Sequence, residues 1–282
     1  MDSSNESMDQ KDCDINVIQT QQSTVTTLSK RQQKKIAKRE KWLAQKSERR
    51  AKEREKRKRK QQEAREKGIK LGPNRKELKM AKMEFSTCRI KVAIDLSLNH
   101  LMTDAEMSKT LKQLHRCYYL NRRSSSPLQL YITSVDNVVK QRMTVNAGCL
   151  NWDVYYKEEN YLDVFGVNNT VYLTSESDNV VDTLEESKTY IIGGLVDHNR
   201  HKGICHKLAV EKGSSHARLP LDKYLIMKTR NVLTIDQVFE ILLRVAEGLT
   251  WQESFLKVLP KRKGAIIKEA PNSDLEKSRE ND

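Results

Sequence analysis

Several absences narrow this chain before any motif is read. No run of about 18 apolar residues occurs, so nothing in it reads as a membrane-spanning helix. The start has neither the apolar core of a secretory leader nor an Arg-rich, acid-poor presequence, so a reduced intracellular setting is expected. Cysteine is sparse. Cys13, Cys88, Cys117, Cys149 and Cys205 are scattered and odd in number, and no CxxC pair exists. Structural disulfides and a structural zinc site are therefore not expected. His198, His201, Cys205 and His206 lie close together, but without paired ligands we expect no metal. There is no Walker loop and no GxGxxG. The first strand candidate, residues 90–96, runs into Ser97-Leu98-Asn99-His100 instead of a glycine turn, which disfavours the usual dinucleotide and methyl-donor folds.

The positive charge is concentrated in one segment. The 282 residues carry a formal net charge of +14, yet residues 30–82 alone hold 24 Lys and Arg against 7 Glu, leaving the remainder slightly acidic. An even excess would describe a solvated surface; a block describes an arm for a polyanion. From residue 30 to 67 there is no proline or glycine, and Lys, Arg, Glu, Gln and Ala dominate, so a helix on the order of 55 Å long is expected, with Ser29 as N-cap and Gly68 as stop. Only Ile36, Trp42 and Leu43 are bulky and apolar in it, too few for a coiled-coil seam. The candidate phosphate contacts are Lys34, Lys35, Lys38 and Arg39 in its first half, Arg49 and Arg50 at its middle, and Arg57, Lys58, Arg59 and Lys60 beyond. A solvated charged helix and a nuclear-import signal are the alternatives for the same residues. Trp42 either stacks on a base or docks on its own domain.

Before this block, residues 1–29 are polar and poor in large apolar groups, so they are expected to stay unstructured. Residues 68–84 read as a linker. Strands are expected at 90–96, 128–133, 170–173, 190–192 and 217–219. Helices are expected at 104–121, 136–145, 179–186, 202–212, 235–247 and 251–258, while 152–156 is ambiguous. This alternation predicts an α/β domain with a largely parallel sheet. After residue 264 the chain is charged and sparse in apolar residues, so this tail too is expected to be disordered.

The stretch from Thr189 to Cys205, TYIIGGLVDHNRHKGIC, organises the rest. An apolar run ends in Gly193-Gly194, and Asp197 opens a polar, basic loop. By itself Asp197 is either a proton acceptor or a cap for the turn that follows. Arg200, His201 and Lys202 suit a phosphate or carboxylate, or a solvated turn, and Asn199 suits orienting a base or bracing the loop. Val232-Leu233-Thr234 reads as a loop before a helix, with Thr234 as N-cap. Asp95, at the end of the first strand, is left unassigned.

GGLVDHNRHKG, together with VYLTSES from Val171, ARLPLDKY from Ala217 and NVLTIDQVFEILL from Asn231, resembles the tRNA (guanine-9 N1) methyltransferases of the SPOUT superfamily over residues 84–264, closest to their cytoplasmic and nuclear branch. The resemblance implies an α/β SPOUT-type parallel sheet with a C-terminal trefoil knot, preceded by a basic helical N-terminal arm. The implied organisation is a tail at 1–29, a basic helical RNA-binding arm and linker at 30–83, a SPOUT methyltransferase domain at 84–264 and a tail at 265–282. It implies S-adenosylmethionine as donor, tRNA as partner, no membrane and a monomer. The donor is expected among three late loops: Leu173 and Thr174; Gly193, Gly194, His198, Asn199, Arg200, His201, Lys202 and Cys205; and Leu219, Leu221, Val232, Leu233, Thr234, Ile235 and Asp236. Asp197 is the expected general base, because guanine N1 carries a proton at neutral pH that must leave for N1 to be methylated. A non-catalytic RNA-binding protein of this fold, and an enzyme acting on adenine N1, are the other readings.

Overall fold

The computed structural model describes residues 29–69, 72–145, 149–198, 200–226, 232–260 and 264–268. The chain divides into two compact units, Met1–Leu71 and Gly72–Asp282. The expected N-terminal tail lies outside the described residues except for Ser29, and the expected C-terminal tail except for 265–268.

Among the described residues of the first unit one helix, α1, runs Lys30–Glu66. Ser29 and Gln32 form a capping box at its start. At its end Gly68, at φ +64°, turns the chain so that Gly68 N–H donates to Arg65 O and Ile69 N–H to Ala64 O. These are the paired bonds by which a left-handed glycine satisfies the last carbonyls of a helix. All ten candidate phosphate contacts are exposed on α1. Lys46 Nζ lies 5.4 Å from the Trp42 ring.

The second unit is built on a six-stranded parallel sheet: β1 Lys91–Asp95, β2 Gln129–Thr133, β3 Tyr155–Tyr156, β4 Thr170–Leu173, β5 Thr189–Gly193 and β6 Ser215–Ala217. Its order is β3-β2-β1-β5-β4-β6. Alternation sends Val92, Ile94, Tyr190 and Ile192 into one core, and Ala93, Ile191 and Tyr172 into a smaller one with Tyr161 and Ala209. Both faces are covered, which is why these strands read as nearly continuous apolar runs.

The larger core is closed by α3, α8 and α9, at Asp104–Asn121, Ile235–Ala246 and Trp251–Val258. A capping box of Thr103 and Glu106 starts α3. Its inner stripe is Met107, Thr110, Leu111, Leu114 and Cys117. The partly exposed Tyr118 stacks on Trp152, ring centres 4.9 Å apart. On α8, Ile235, Phe239, Leu242 and Leu243 form the buried face, each such side chain contributing roughly 1.5–3 kcal/mol. Short helices α2, α4, α5, α6 and α7 span Arg75–Met80, Asn137–Val145, Tyr161–Phe165, Ile204–Glu211 and Leu221–Tyr224.

Three expectations are corrected. Residues 179–186 are not helical. Val180 bridges Arg218, Val181 N–H donates to Arg218 O, and Arg218 N–H donates to Asn179 O, so this β-branched pair prolongs the sheet edge. Residues 72–83 belong to the domain and not to a linker: Met83 is buried, its carbonyl accepts from Gln129 Nε2 at 2.9 Å, and Leu78 O accepts from the Arg122 guanidinium. Finally, residues 266–267 are not part of a loose tail. They form β8, Ile266–Ile267, antiparallel to β7, Leu225–Ile226.

Candidate active site

Three neighbouring parallel strands, β5, β4 and β6, end side by side at Gly193, Leu173 and Ala217. Beyond the carboxyl ends of such strands open α/β sheets form their ligand crevices. A cavity of about 190 Å³ lies there. The turn after β4 contributes Leu173, Thr174, Ser175 and Glu176; β5 and its continuation contribute Ile192, Gly193, Leu195 and Asp197. His201, Gly203, Ile204 and Cys205 lead into α6. Arg218, Leu219, Leu221 and Asp222 follow β6, and Val232, Leu233, Ile235 and Val238 close the wall at the start of α8.

The glycine pair is required by close approach on two sides. A Cβ on Gly193 would stand 2.7 Å from Cys205 Sγ and 3.1 Å from the Tyr172 hydroxyl. A Cβ on Gly194 would stand 2.6 Å from the Asp95 carbonyl oxygen. Asp95 itself is fully buried. Its carboxylate accepts from Ser97 Oγ at 2.7 Å, Ser134 Oγ at 2.9 Å and Ser97 N–H at 3.1 Å, which ties the ends of β1 and β2 together. It is a structural acid beneath the site.

Asp197 is partly buried, lines the cavity, and accepts the His201 N–H on Oδ2 at 2.7 Å. Asp197 thus caps the turn that follows it and also lines the cavity. Burial, with the charges of Asp95 and Asp197 adding to it, pushes the Cys205 thiol up to about 11. At neutral pH it is a protonated, inert wall group. Arg218 donates from Nη1 to Ser177 O at 2.7 Å and Asp178 O at 2.6 Å, bracing the turn after β4.

Of the expected donor-site residues, Leu173, Thr174, Gly193, His201, Cys205, Leu219, Leu221, Val232, Leu233 and Ile235 are brought together around the cavity. Others are outside its lining. Gly194 is packed under β1. His198 Nε2 meets Lys109 Nζ at 2.7 Å, and Arg200 reaches Glu106. Lys202 is exposed. Thr234 is the N-cap of α8, and Asp236 pairs with Arg116 at 3.1 Å. Asn199 is outside the described residues. Sequence reasoning missed Glu176, Arg218 and Asp222, although each stands just beyond the end of a strand. Among the described residues no group of three His, Cys, Asp or Glu is placed to hold a metal, and no helix is long and apolar enough to cross a membrane.

A parallel sheet with a small-molecule cleft at its carboxyl edge, its walls carrying carboxylates, defines an α/β ligand-binding domain of the enzyme type. A family model for tRNA (guanine(9)-N(1))-methyltransferase TRM10/TRM10A matches residues 26–264. The chain is 44% identical over 243 residues to human tRNA methyltransferase 10 homolog A, covering 85% of this chain and 71% of the relative. It is 42% identical over 220 residues to the tRNA (guanine(9)-N(1))-methyltransferase Trmt10A of Drosophila melanogaster, covering 75% and 69%. It spans little more than half the length of some vertebrate relatives, 55% for the Xenopus tropicalis one. The crystal structure of full-length spTrm10 with SAH superposes with a TM-score of 0.57 at 34% identity, covering 64% of this chain and 98% of that one. The chain belongs to the tRNA (guanine(9)-N(1))-methyltransferase family, and its domain has an α/β SPOUT fold.

Proposed function

We propose that the chain transfers the methyl group of S-adenosylmethionine to N1 of guanine 9 in tRNA. The observation that carries this is the position of Asp197, on the wall of the cavity at the ends of β4, β5 and β6, in a chain of this family. The lining suits the donor. Leu173, Leu219, Leu221, Ile235 and Val238 offer an apolar slot for a purine, and Gly193 allows main chain to approach closely. Glu176, Asp197 and Asp222 give the cavity carboxylates fit for a cation. When bound, S-adenosylmethionine supplies a methyl carbon made electrophilic by its sulfonium.

The chain's own residues do the rest. The Asp197 carboxylate takes the proton from guanine N1, leaving the N1 lone pair free to attack. The His201 N–H on Asp197 Oδ2 fixes the rotamer of that carboxylate. Cys205, held as a neutral thiol, stays out of the chemistry.

The exposed Lys and Arg of α1 serve in this reading as an arm that grips tRNA phosphates, with residues 1–71 as its unit and 72–268 as the methyltransferase domain. The run 56–60 doubles as an import signal, consistent with residence in nucleus and cytoplasm. We also read the segment from β4 through α8 as trefoil-knotted, and the protein as a monomer. Support for the knot is that β5, later in the chain, lies between β1 and β4, and that the cavity walls come from loops after β4, β5 and β6.

The test is mass-spectrometric mapping of tRNA transcripts carrying G or A at position 9, after incubation with the purified chain and donor. Methylation of the G9 transcript at N1 is expected. Methylation of the A9 transcript alone would assign an adenine enzyme. Methylation of neither transcript, with no donor binding by calorimetry, would leave a non-catalytic RNA-binding protein.

A further inference from the structure

The described residues between β5 and α6, 194–198 and 200–203, form no regular helix or strand, yet the Asp197 carboxylate among them must face the cavity accurately. What holds this loop is an alternating pattern. Val196 N–H donates to Met102 Sδ at 3.4 Å, His198 Nε2 meets Lys109 Nζ at 2.7 Å, and Arg200 Nη2 donates to Leu101 O at 3.1 Å and Glu106 Oε2 at 3.0 Å. Residues 196, 198 and 200 are thus all fastened to the segment 101–109, which leads into and begins α3, while residue 197 between them faces the cavity.

The strongest of these links is the one to Glu106. This carboxylate is buried and already accepts the N–H and the hydroxyl of Thr103, both at 2.8 Å, in the capping box of α3. Arg200 brings the positive charge that a buried carboxylate otherwise lacks. The Lys109 ammonium has only protons to give, so His198 Nε2 is the acceptor of this contact. His198 has φ +56°, an uncommon conformation outside glycine, in keeping with a backbone held from both sides.

We propose that Arg200 is a positioning residue: through Glu106 it locks the loop onto the start of α3 so that Asp197 faces the bound donor and the target base. This rests on Asp197 being the proton acceptor. Arg200 touches neither reactant in this assignment and acts only through the placement of Asp197. The competing role, a direct contact to a tRNA phosphate, has a different signature, because it would appear in RNA affinity and its salt dependence.

The experiment uses the full chain and measures single-turnover methylation at saturating tRNA and donor, with tRNA and donor affinities measured separately, for Arg200→Ala, Arg200→Lys, Glu106→Gln and Arg200→Ala/Glu106→Gln. Glu106→Gln is chosen because glutamine preserves the capping box and so the fold. We expect Arg200→Ala to slow the step ~10–100-fold, with both affinities within about twofold, and Arg200→Lys to recover part of the loss. Glu106→Gln should also slow it, and the double variant should be no slower than the worse single, since both remove one link. Weaker tRNA binding with an unchanged saturated rate, additive losses in the double variant, or no loss at all would each overturn the assignment. Asp197→Asn is measured alongside. If it alone leaves the rate intact, the proton-acceptor reading falls and this one with it; if it slows the rate and Arg200→Ala does not, only the role of Arg200 falls.

Discussion

The main-chain N–H of Gly194 donates to the carbonyl oxygen of Asp95 at 2.7 Å, in a gap too narrow for any side chain at 194. This contact clamps the end of β5 to the end of β1, and the Asp197 loop departs directly from it. An added methyl would meet backbone, which cannot rotate away. Gly194→Ala is therefore expected to destabilise the fold by about 1–3 kcal/mol and to abolish donor binding. Urea melts and calorimetry with S-adenosylmethionine check this; wild-type values for both would contradict it.

At Gly193 the obstacle is a side chain instead. The Cβ of an alanine there would meet Cys205 Sγ at 2.7 Å. Gly193→Ala alone should weaken donor binding at least about tenfold, and Cys205→Ala should restore part of it by vacating the space. The donor dissociation constants of the two single variants and the double variant are the measurement. Simple additivity would show that the thiol is not what the glycine makes room for.

The acid response of Glu106 has a definite sign. The Thr103 main-chain and hydroxyl hydrogen bonds, followed by Arg200, hold its carboxyl down to about 2. A depressed carboxyl contributes stability above its unfolded value of 4.5, and loses it as the pH falls toward the folded value. Wild type should therefore exceed Glu106→Gln in stability at neutral pH, and the gap should close between about pH 4.5 and 2. Denaturant melts across that range read the gap; a gap independent of pH would contradict the assignment.

The basic helix gives a prediction in salt. Removing residues 30–66 deletes 18 Lys and Arg against 6 Glu. Affinity for tRNA should fall, and the slope of log affinity against log salt should become shallower. Filter binding at several salt concentrations tests this, and an unaltered slope would exclude α1 as the grip.

How much of this was legible in the sequence follows from how local each cause is. α3 is readable to the residue because its cap, Thr103 with Glu106, and its apolar stripe are short-range signals. The extended path of residues 179–186 is not, because its hydrogen-bond partner, Arg218, is remote in sequence. β7 and β8 are two residues each and pair across about forty others. The same distinction divides the site. Gly193, Asp197 and His201 are marked by one contiguous motif. Glu176, Arg218 and Asp222 reach the cavity only because three strands end together, and Arg200 finds its partner 94 positions away.

The central claim is that Asp197 removes the N1 proton of the target guanine. It is tested most directly by single-turnover methylation of a G9 tRNA transcript with Asp197→Asn, at saturating donor and RNA. Asparagine keeps the size and an acceptor for the His201 N–H but cannot take the proton. A rate reduced by roughly tenfold or more, with tRNA affinity kept, is the expected result. A rate equal to wild type would remove Asp197 from the chemistry.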